Sequence, residues 1–353
     1  MSTQNSKRIL LMAAALLSLL VAMWAGLIRL GWGWPAIQPT LPMAHGPLMV
    51  SGFLGTLISL ERAVALDKKW SYFAPLLSGA GAALLIVGMS GWIGPLLITM
   101  GSVLLVLIMV QILRIHITLY TGVIIAGTLC WLVGNLLWLL GWPVYQIVIW
   151  WIGFPLLTVA GERLELGRFL QLSVRVIVIF IACVGVFIAG AAIAMVLYAF
   201  GVRLAGVGMV LLALWLLHYD IASRRIKAGG QARFIAISLL SGYVWLAFGG
   251  GVAILYGGLS AGPLYDLMLH TIFLGFVFTM IFAHAPIIFP AVLQRKFVYS
   301  PRLYSHLILL HGTLMLRVAG DLLFWEPGRL WGGVLNALVI LLFLGNTLIS
   351  IRK

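Results

Sequence analysis

Long apolar runs, separated by short polar or Gly/Pro-containing breaks, fill the chain from end to end. A bilayer-spanning helix needs about 20 mostly apolar residues, and runs of that size recur here. The pattern predicts an all-α, polytopic integral membrane protein with twelve transmembrane helices: 9–31, 44–66, 73–90, 92–113, 117–140, 144–162, 175–199, 203–219, 234–257, 265–293, 303–324 and 329–351. Tight connections near Gly91 and at Trp142–Pro143 read as helical hairpins. No linker or low-complexity segment divides the chain, so one transmembrane helical domain is expected over 1–353.

Charge placement sets the orientation. With the N-terminus inside, all of the 22 basic residues except Arg29, Arg203, Arg317 and Arg329 fall in inner segments. Cytoplasmic loops retain positive charge, so the expectation is both termini in the cytoplasm and a multi-pass location in the cell's inner membrane. Trp32, Trp34, Trp92, Trp142, Trp325 and Trp331 gather at the predicted outer boundary, as an aromatic belt does. The stretch MSTQNSKRIL has a signal-like start, but its apolar run reaches Arg29, which fits a retained first span better than a cleaved peptide.

Composition adds exclusions. The chain has 353 residues, 63% hydrophobic and only 8% charged. A soluble domain carries about 25% charged residues. The net charge of +14 belongs to short loops facing lipid headgroups, and no nucleic-acid partner is expected. Cys130 and Cys183 both fall in apolar spans, which argues against a disulfide framework or a Cys-rich metal site. Walker A, HExxH, CxxC and CxxCH motifs are absent, which disfavours a primary pump or a c-type cytochrome.

Ionisable groups inside the membrane are costly and carry functional expectations. Of seven histidines, His116 and His218 lie near inner loop ends and read as interfacial. Depth sorts the other five. His45 opens span 2 and His270 lies near the outer start of span 10, at similar depth. At 100° per residue His284 returns to the face of His270, roughly 20 Å deeper and level with His311 of span 11. Two sites follow: an outer pair, His45 with His270, and an inner pair, His284 with His311, with His306 nearby. By the same arithmetic Gly52, Thr56 and Ser59 share the face of His45. Such small residues admit either a flat porphyrin or a neighbouring helix. Neutral imidazole is a good iron ligand, and two facing histidines make a low-spin b-type haem.

Other polar groups have blander roles. Arg317 and Asp321, four apart, are expected to pair across one turn, with a propionate clamp as the functional alternative for Arg317. Glu61–Arg62 and Glu162–Arg163 read as interfacial anchors, or as a proton entry to the inner site. Asn135 and Gln146 read as interhelical glue. Two short echoes, HGPLM (45–49) with HGTLM (311–315) and the two Glu-Arg pairs, are too brief to indicate duplication.

The stretches "AHGPLMVSGFLGTLISLERAVAL", "LHTIFLGFVFTMIFAHAPIIFPAVL" and "HLILLHGTLMLRVAGDL" resemble the NnrS family of haem- and copper-containing membrane proteins and, more distantly, subunit I of the haem-copper oxidases. The resemblance implies haem b held by His45 and His270, and copper or a second haem deeper in. It also implies nitric oxide or a related gas or small molecule as ligand, an oxidoreductase activity, and an electron-donor protein or quinol as partner. Spans 6 and 7 hold no histidine, so the copper ligands of the oxidases have no counterpart there. Two other classes stay open: a cofactor-free transporter or channel using the intramembrane His, Arg and Asp side chains, and a structural membrane subunit. The catalytic residues are unknown at this level.

Overall fold

The computed structural model describes residues 3–89 and 91–352; the last residue of the expected third span, Ser90, and the terminal Lys353 lie outside them. Twelve helical rods follow one another among the described residues. They are α1 (Thr3–Leu30), α2 (Leu41–Leu66), α3 (Phe73–Ile86), α4 (Ile93–Ile115), α5 (Leu119–Leu139) and α6 (Val144–Gly167). The remainder are α7 (Val174–Ile193), α8 (Tyr198–Tyr219), α9 (Gly230–Tyr256), α10 (Pro263–Leu293), α11 (Leu303–Leu322) and α12 (Glu326–Ser350). A single turn, Ala222–Arg225, lies between α8 and α9.

Ten of these rods are long and apolar enough to cross a membrane, which makes the chain that of a multi-pass membrane protein. The two that differ from the expected twelve have physical reasons. α3 has 14 residues. At 1.5 Å per residue that is about 21 Å, short of a hydrocarbon core of about 30 Å. α11 has the length, but His306, His311, Arg317 and Asp321 reduce its apolar character. Gly91 and Gly141 take positive φ at the turns after α3 and α5, where the two hairpins are expected.

Where one domain is expected over 1–353, the contacts define two compact units: the chain up to Phe154 with Ile288–Gln294, and Pro155–Ile287 with Arg295 to the C-terminus. In the first, α2 packs on α1 and α3, α3 on α4, and α4 on α5. Val21, Ala22 and Ala25 of α1 meet Leu41, Ala44 and Leu48 of α2 and Ala82 of α3 in one buried cluster. In the second, α7 packs on α8, α8 on α9, α9 and α11 on α10, and α11 on α12. Lys296–Phe297 pairs antiparallel with Ile351–Arg352, tying the end of α12 to the connection between α10 and α11.

The two units share a device. α2 is π-helical over Leu48–Gly55 and α10 over Thr271–Phe278. Each segment ends on the same spaced sequence, Gly52-Phe53-Leu54-Gly55-Thr56 and Gly275-Phe276-Val277-Phe278-Thr279, and each packs on the helix that precedes its rod, α1 or α9. A two-helix hairpin then follows in each unit, α3–α4 or α11–α12. The echo that carries this repeat is therefore GFxxT. HGPLM opens α2, whereas HGTLM lies in regular α-helix within α11. Hydrogen bonds of the i→i+5 type widen the turn, so 100° per residue does not hold through these segments. The expected common face of His270 and His284 loses its basis, because eight π-helical residues separate them.

Asn135 is the interhelical glue expected. Its Oδ1 accepts from Ser51 Oγ of α2 at 3.0 Å and from Trp151 Nε1 of α6 at 3.0 Å, and its main-chain oxygen accepts from Thr99 of α4 at 3.3 Å. Trp131 Nε1 completes the network on Ser51 Oγ at 3.1 Å. Interhelical hydrogen bonds in membranes contribute about 0.6 kcal/mol each, up to about 1.7. Asn135→Ala is expected to lower stability by about 1–2 kcal/mol, read as thermal unfolding of the detergent-purified protein. An unchanged midpoint would mean that the network contributes nothing.

Candidate functional site

In the second unit α10 begins at Pro263, with Asp266 in its first turn and His270 one turn later. That spacing puts the two side chains on one helical face. His270 Nδ1 lies 3.0 Å from the main-chain oxygen of Asp266 and 3.1 Å from its Oδ1. Both oxygens only accept, so Nδ1 carries the hydrogen, and in the neutral ring Nε2 keeps its lone pair.

Arg317 of α11 grips the same carboxylate. Its Nε donates to Asp266 Oδ2 at 3.0 Å, and Nη2 donates to Oδ2 at 2.8 Å and Oδ1 at 3.1 Å. This fork-on-carboxylate arrangement is the strong form of the pair. It corrects the expected pairing of Arg317 with Asp321. The guanidinium reaches across to α10, where both carboxylate oxygens face it. Asp321 instead lies beside Arg329 of α12, Oδ1 to Nε at 3.4 Å. Asp321 is fully buried, and neither of its oxygens accepts a hydrogen bond from a donor nitrogen or hydroxyl among the described residues. The Asp321 carboxyl also faces that of Asp266. A propionate-clamp role for Arg317 meets an obstacle here, because its Nε and Nη2 are committed to Asp266.

His45 belongs to the first unit. Its Nδ1 lies 2.7 Å from the main-chain oxygen of Ala22, again the donor arrangement. The imidazole rests on α1 over Gly26, where a Cβ would fall 2.6 Å from Cε1. A glycine is what allows the ring to lie there. The small residues beneath it do not form an open flat surface. Gly52 abuts Ser18 of α1 and Ala82 of α3, and Thr56 abuts Gly79 of α3. Thr56 and Ser59 are both fully buried. Of the two uses expected for these residues, helix packing is the one built.

The inner histidines sort differently. His284 Nδ1 lies 2.6 Å from the main-chain oxygen of Met280, and its Nε2 faces Arg163 Nη2 at 3.2 Å and Glu162 Oε2 at 3.5 Å. His311 Nδ1 accepts from Trp245 Nε1 at 3.0 Å. His306 Nδ1 faces Asn346 Nδ2 at 3.2 Å, and its ring sits among Phe282, Phe343 and Phe234. A neutral imidazole has one ring lone pair. In His284 it meets an arginine, in His311 a tryptophan and in His306 an amide. His284 and His311, the expected inner pair, each make a separate hydrogen-bonded contact. Among the described residues no group of three or more His, Cys, Asp or Glu side chains could hold a metal ion. His116 and His218 are exposed at helix ends, as their positions suggest.

Sequence reasoning does not single out Asp266, Trp245, Arg329, or the buried Tyr243–Asp220 hydrogen bond. Asp266 is within its reach: an acid one turn before a histidine, at the start of an apolar span, is a visible signal. The other partnerships join separate helices and have no local signature.

No curated protein matches the chain. A family model described as a domain of unknown function (DUF8744) matches residues 8–352. That match spans nearly the whole chain, both units included, and the protein belongs to this family.

Proposed function

We propose that the protein is a haem-binding redox or gas-ligand protein of the inner membrane, with twelve crossings, both termini on the side of the basic loops, and His45 and His270 as the haem b ligands. The observation that carries this reading is the state of these two rings. Each donates Nδ1–H to a main-chain oxygen, which fixes the ring's orientation and tautomer. Metal-bound histidines are oriented in this way, by a carbonyl or carboxylate on the other nitrogen. His270 has both, and its carboxylate is itself fixed by Arg317. A bound haem would supply the redox and gas-binding chemistry. The protein residues would orient the two rings and hold the charge of Asp266. Nitric oxide as ligand, and an electron-donor protein or quinol as partner, come from the NnrS-like sequence resemblance. His284 and His311 are left out of the ligand set, and copper or a second haem with them.

The test is the optical spectrum of the purified full-length protein, oxidised and dithionite-reduced. A Soret band with reduced b-type bands is expected, lost in His270→Ala and in His45→Ala. A folded wild type that stays colourless after haem supplementation during expression would overturn the reading.

A second reading, a cofactor-free transporter, is favoured by one observation. Asp321 is a fully buried carboxylate set against a second one, Asp266. Intramembrane carboxylates mark ion or proton pathways. Reconstituted vesicles would show a proton or anion flux abolished by Asp321→Asn, with the protein colourless. Absence of any flux in the wild type would remove this alternative.

A further inference from the structure

Neither reading uses the Glu162–Arg163 pair or His284, yet the three meet in the second unit. Two neighbours on α6 converge on one ring nitrogen of α10. Nε2 of His284 lies 3.2 Å from Arg163 Nη2 and 3.5 Å from Glu162 Oε2. The other ring nitrogen is already engaged. Nδ1 lies 2.6 Å from the main-chain oxygen of Met280, which can only accept, so Nδ1 carries hydrogen whatever the charge of the ring. Any proton the ring gains or loses is therefore carried by Nε2.

That nitrogen faces one partner for each of its two states. Bare Nε2 accepts from Arg163, which only donates, and has nothing to offer the carboxylate. Protonated Nε2 donates to Glu162 and turns a like charge on Arg163. The two contacts exclude each other, whereas a purely structural histidine needs only one of them. No other ionisable residue occurs in Thr279–Leu293 of α10. From the short turn after α8, Arg225 lines the same cavity as His284; it is exposed beside Arg224 and Lys227, which puts the ring at the end that carries the basic loops. From α9, Tyr243 donates to Asp220 and lies in the field of Asp220, Arg163 and Glu162. The side chains of Glu162 and His284 keep 20% and 14% of their surface exposed, so neither is sealed off.

We propose that His284 is a proton-binding site whose ring exchanges partners: Arg163 holds it neutral, and a proton on Nε2 passes it to Glu162 and frees the guanidinium. The proton comes from water. An N–H bond forms at Nε2 as an O–H bond of hydronium breaks, and the positive charge moves to the ring. Imidazole is the side chain whose ordinary charge change falls between about pH 5 and 8, and ionisable groups in spans mark proton routes. The proposal uses neither the haem ligands His45 and His270 nor Asp321, so its failure leaves both readings of the protein's function standing.

Nitrogen NMR of the full-length, ¹⁵N-histidine-labelled protein in lipid bilayers tests it, because a ring nitrogen with a lone pair resonates well apart from one that carries hydrogen. The His284 signals are those missing from His284→Gln. Through and beyond the imidazole range of about pH 5–8, Nε2 is expected to change from bare to protonated as pH falls, while Nδ1 keeps its hydrogen. A charge within hydrogen-bonding distance changes proton affinity about tenfold or more. Glu162→Gln removes the partner of the charged ring and should lower the affinity by that factor. Arg163→Met removes the donor to the neutral ring, and a like charge, and should raise it by a similar factor. Glu162→Gln is near-isosteric and partly exposed, so it decides alone if Arg163→Met does not fold. An Nε2 that keeps one state across the range, or a midpoint that Glu162→Gln leaves in place or raises, would overturn the proposal.

Discussion

Arg317→Ala is expected to destabilise the second unit by about 3–5 kcal/mol, one of the largest effects of any single polar substitution in the chain. The cause is the partner left behind. Asp266 is only 21% exposed at its side chain, and Arg317 supplies three of the hydrogen bonds to its carboxylate. With the guanidinium gone, His270 remains beside a carboxylate that has lost its forked partner, with Asp321 facing it. Arg317→Lys should recover only part of the loss, because an ammonium cannot engage both oxygens in a fixed fork. The double variant Asp266→Leu/Arg317→Met should recover most of it, since a neutral pair of similar volume removes the uncompensated charge. Thermal unfolding of the four proteins in one detergent reads this directly. A double variant no more stable than Arg317→Ala would show that packing, not the stranded charge, sets the loss.

The second large effect is expected at the π-helical segment of α2. Gly55→Leu should prevent the first unit from reaching its native packing, with a loss beyond the roughly 1–3 kcal/mol usual for overpacking. A Cβ at Gly55 collides with Cζ2 of Trp131. That indole cannot move aside. It is fully buried, stacked on Phe154 at 4.8 Å, and hydrogen-bonded to Ser51 Oγ. Gly46→Ala on the same rod is the control, because its Cβ would meet only Val144 at an ordinary 3.8 Å. Size-exclusion profiles and unfolding midpoints of the two variants should separate sharply. Similar midpoints would mean that Trp131 has room to rotate.

Part of the polar chemistry is legible in the sequence. Asn135 stands out as a lone amide in apolar helix, and its role follows from the rule that such groups find partners across helices. His45 and His270 stand out as ionisable groups at apolar span ends. The pairing rules fail at Arg317, whose i,i+4 acid lies within reach while a better acceptor waits on another helix. They fail again at His284 and His311, whose lone pairs suit a metal by sequence but meet Arg163 and Trp245 in the fold. Depth and face arithmetic assumes an α-helix throughout. Nothing local in "LMVSGFLG" or "TIFLGFVF" announces i→i+5 hydrogen bonds, although both end on the same GFxxT spacing.

Run length and composition are enough to establish that the chain is helical and crosses a membrane many times. Hydrocarbon leaves the backbone no partner but itself, and run length is a one-dimensional quantity. The same reading narrows the side chains that could carry chemistry to a few, since ionisable groups in apolar runs are rare and costly. Which of them meet is settled by tertiary packing alone: Asp266 with Arg317, Asp321 with Arg329, His284 with Arg163, His45 with Ala22. Those choices depend on the rotation of one helix against the next, and two π-helical segments reset that rotation midway along the rods that carry His45, His270 and His284.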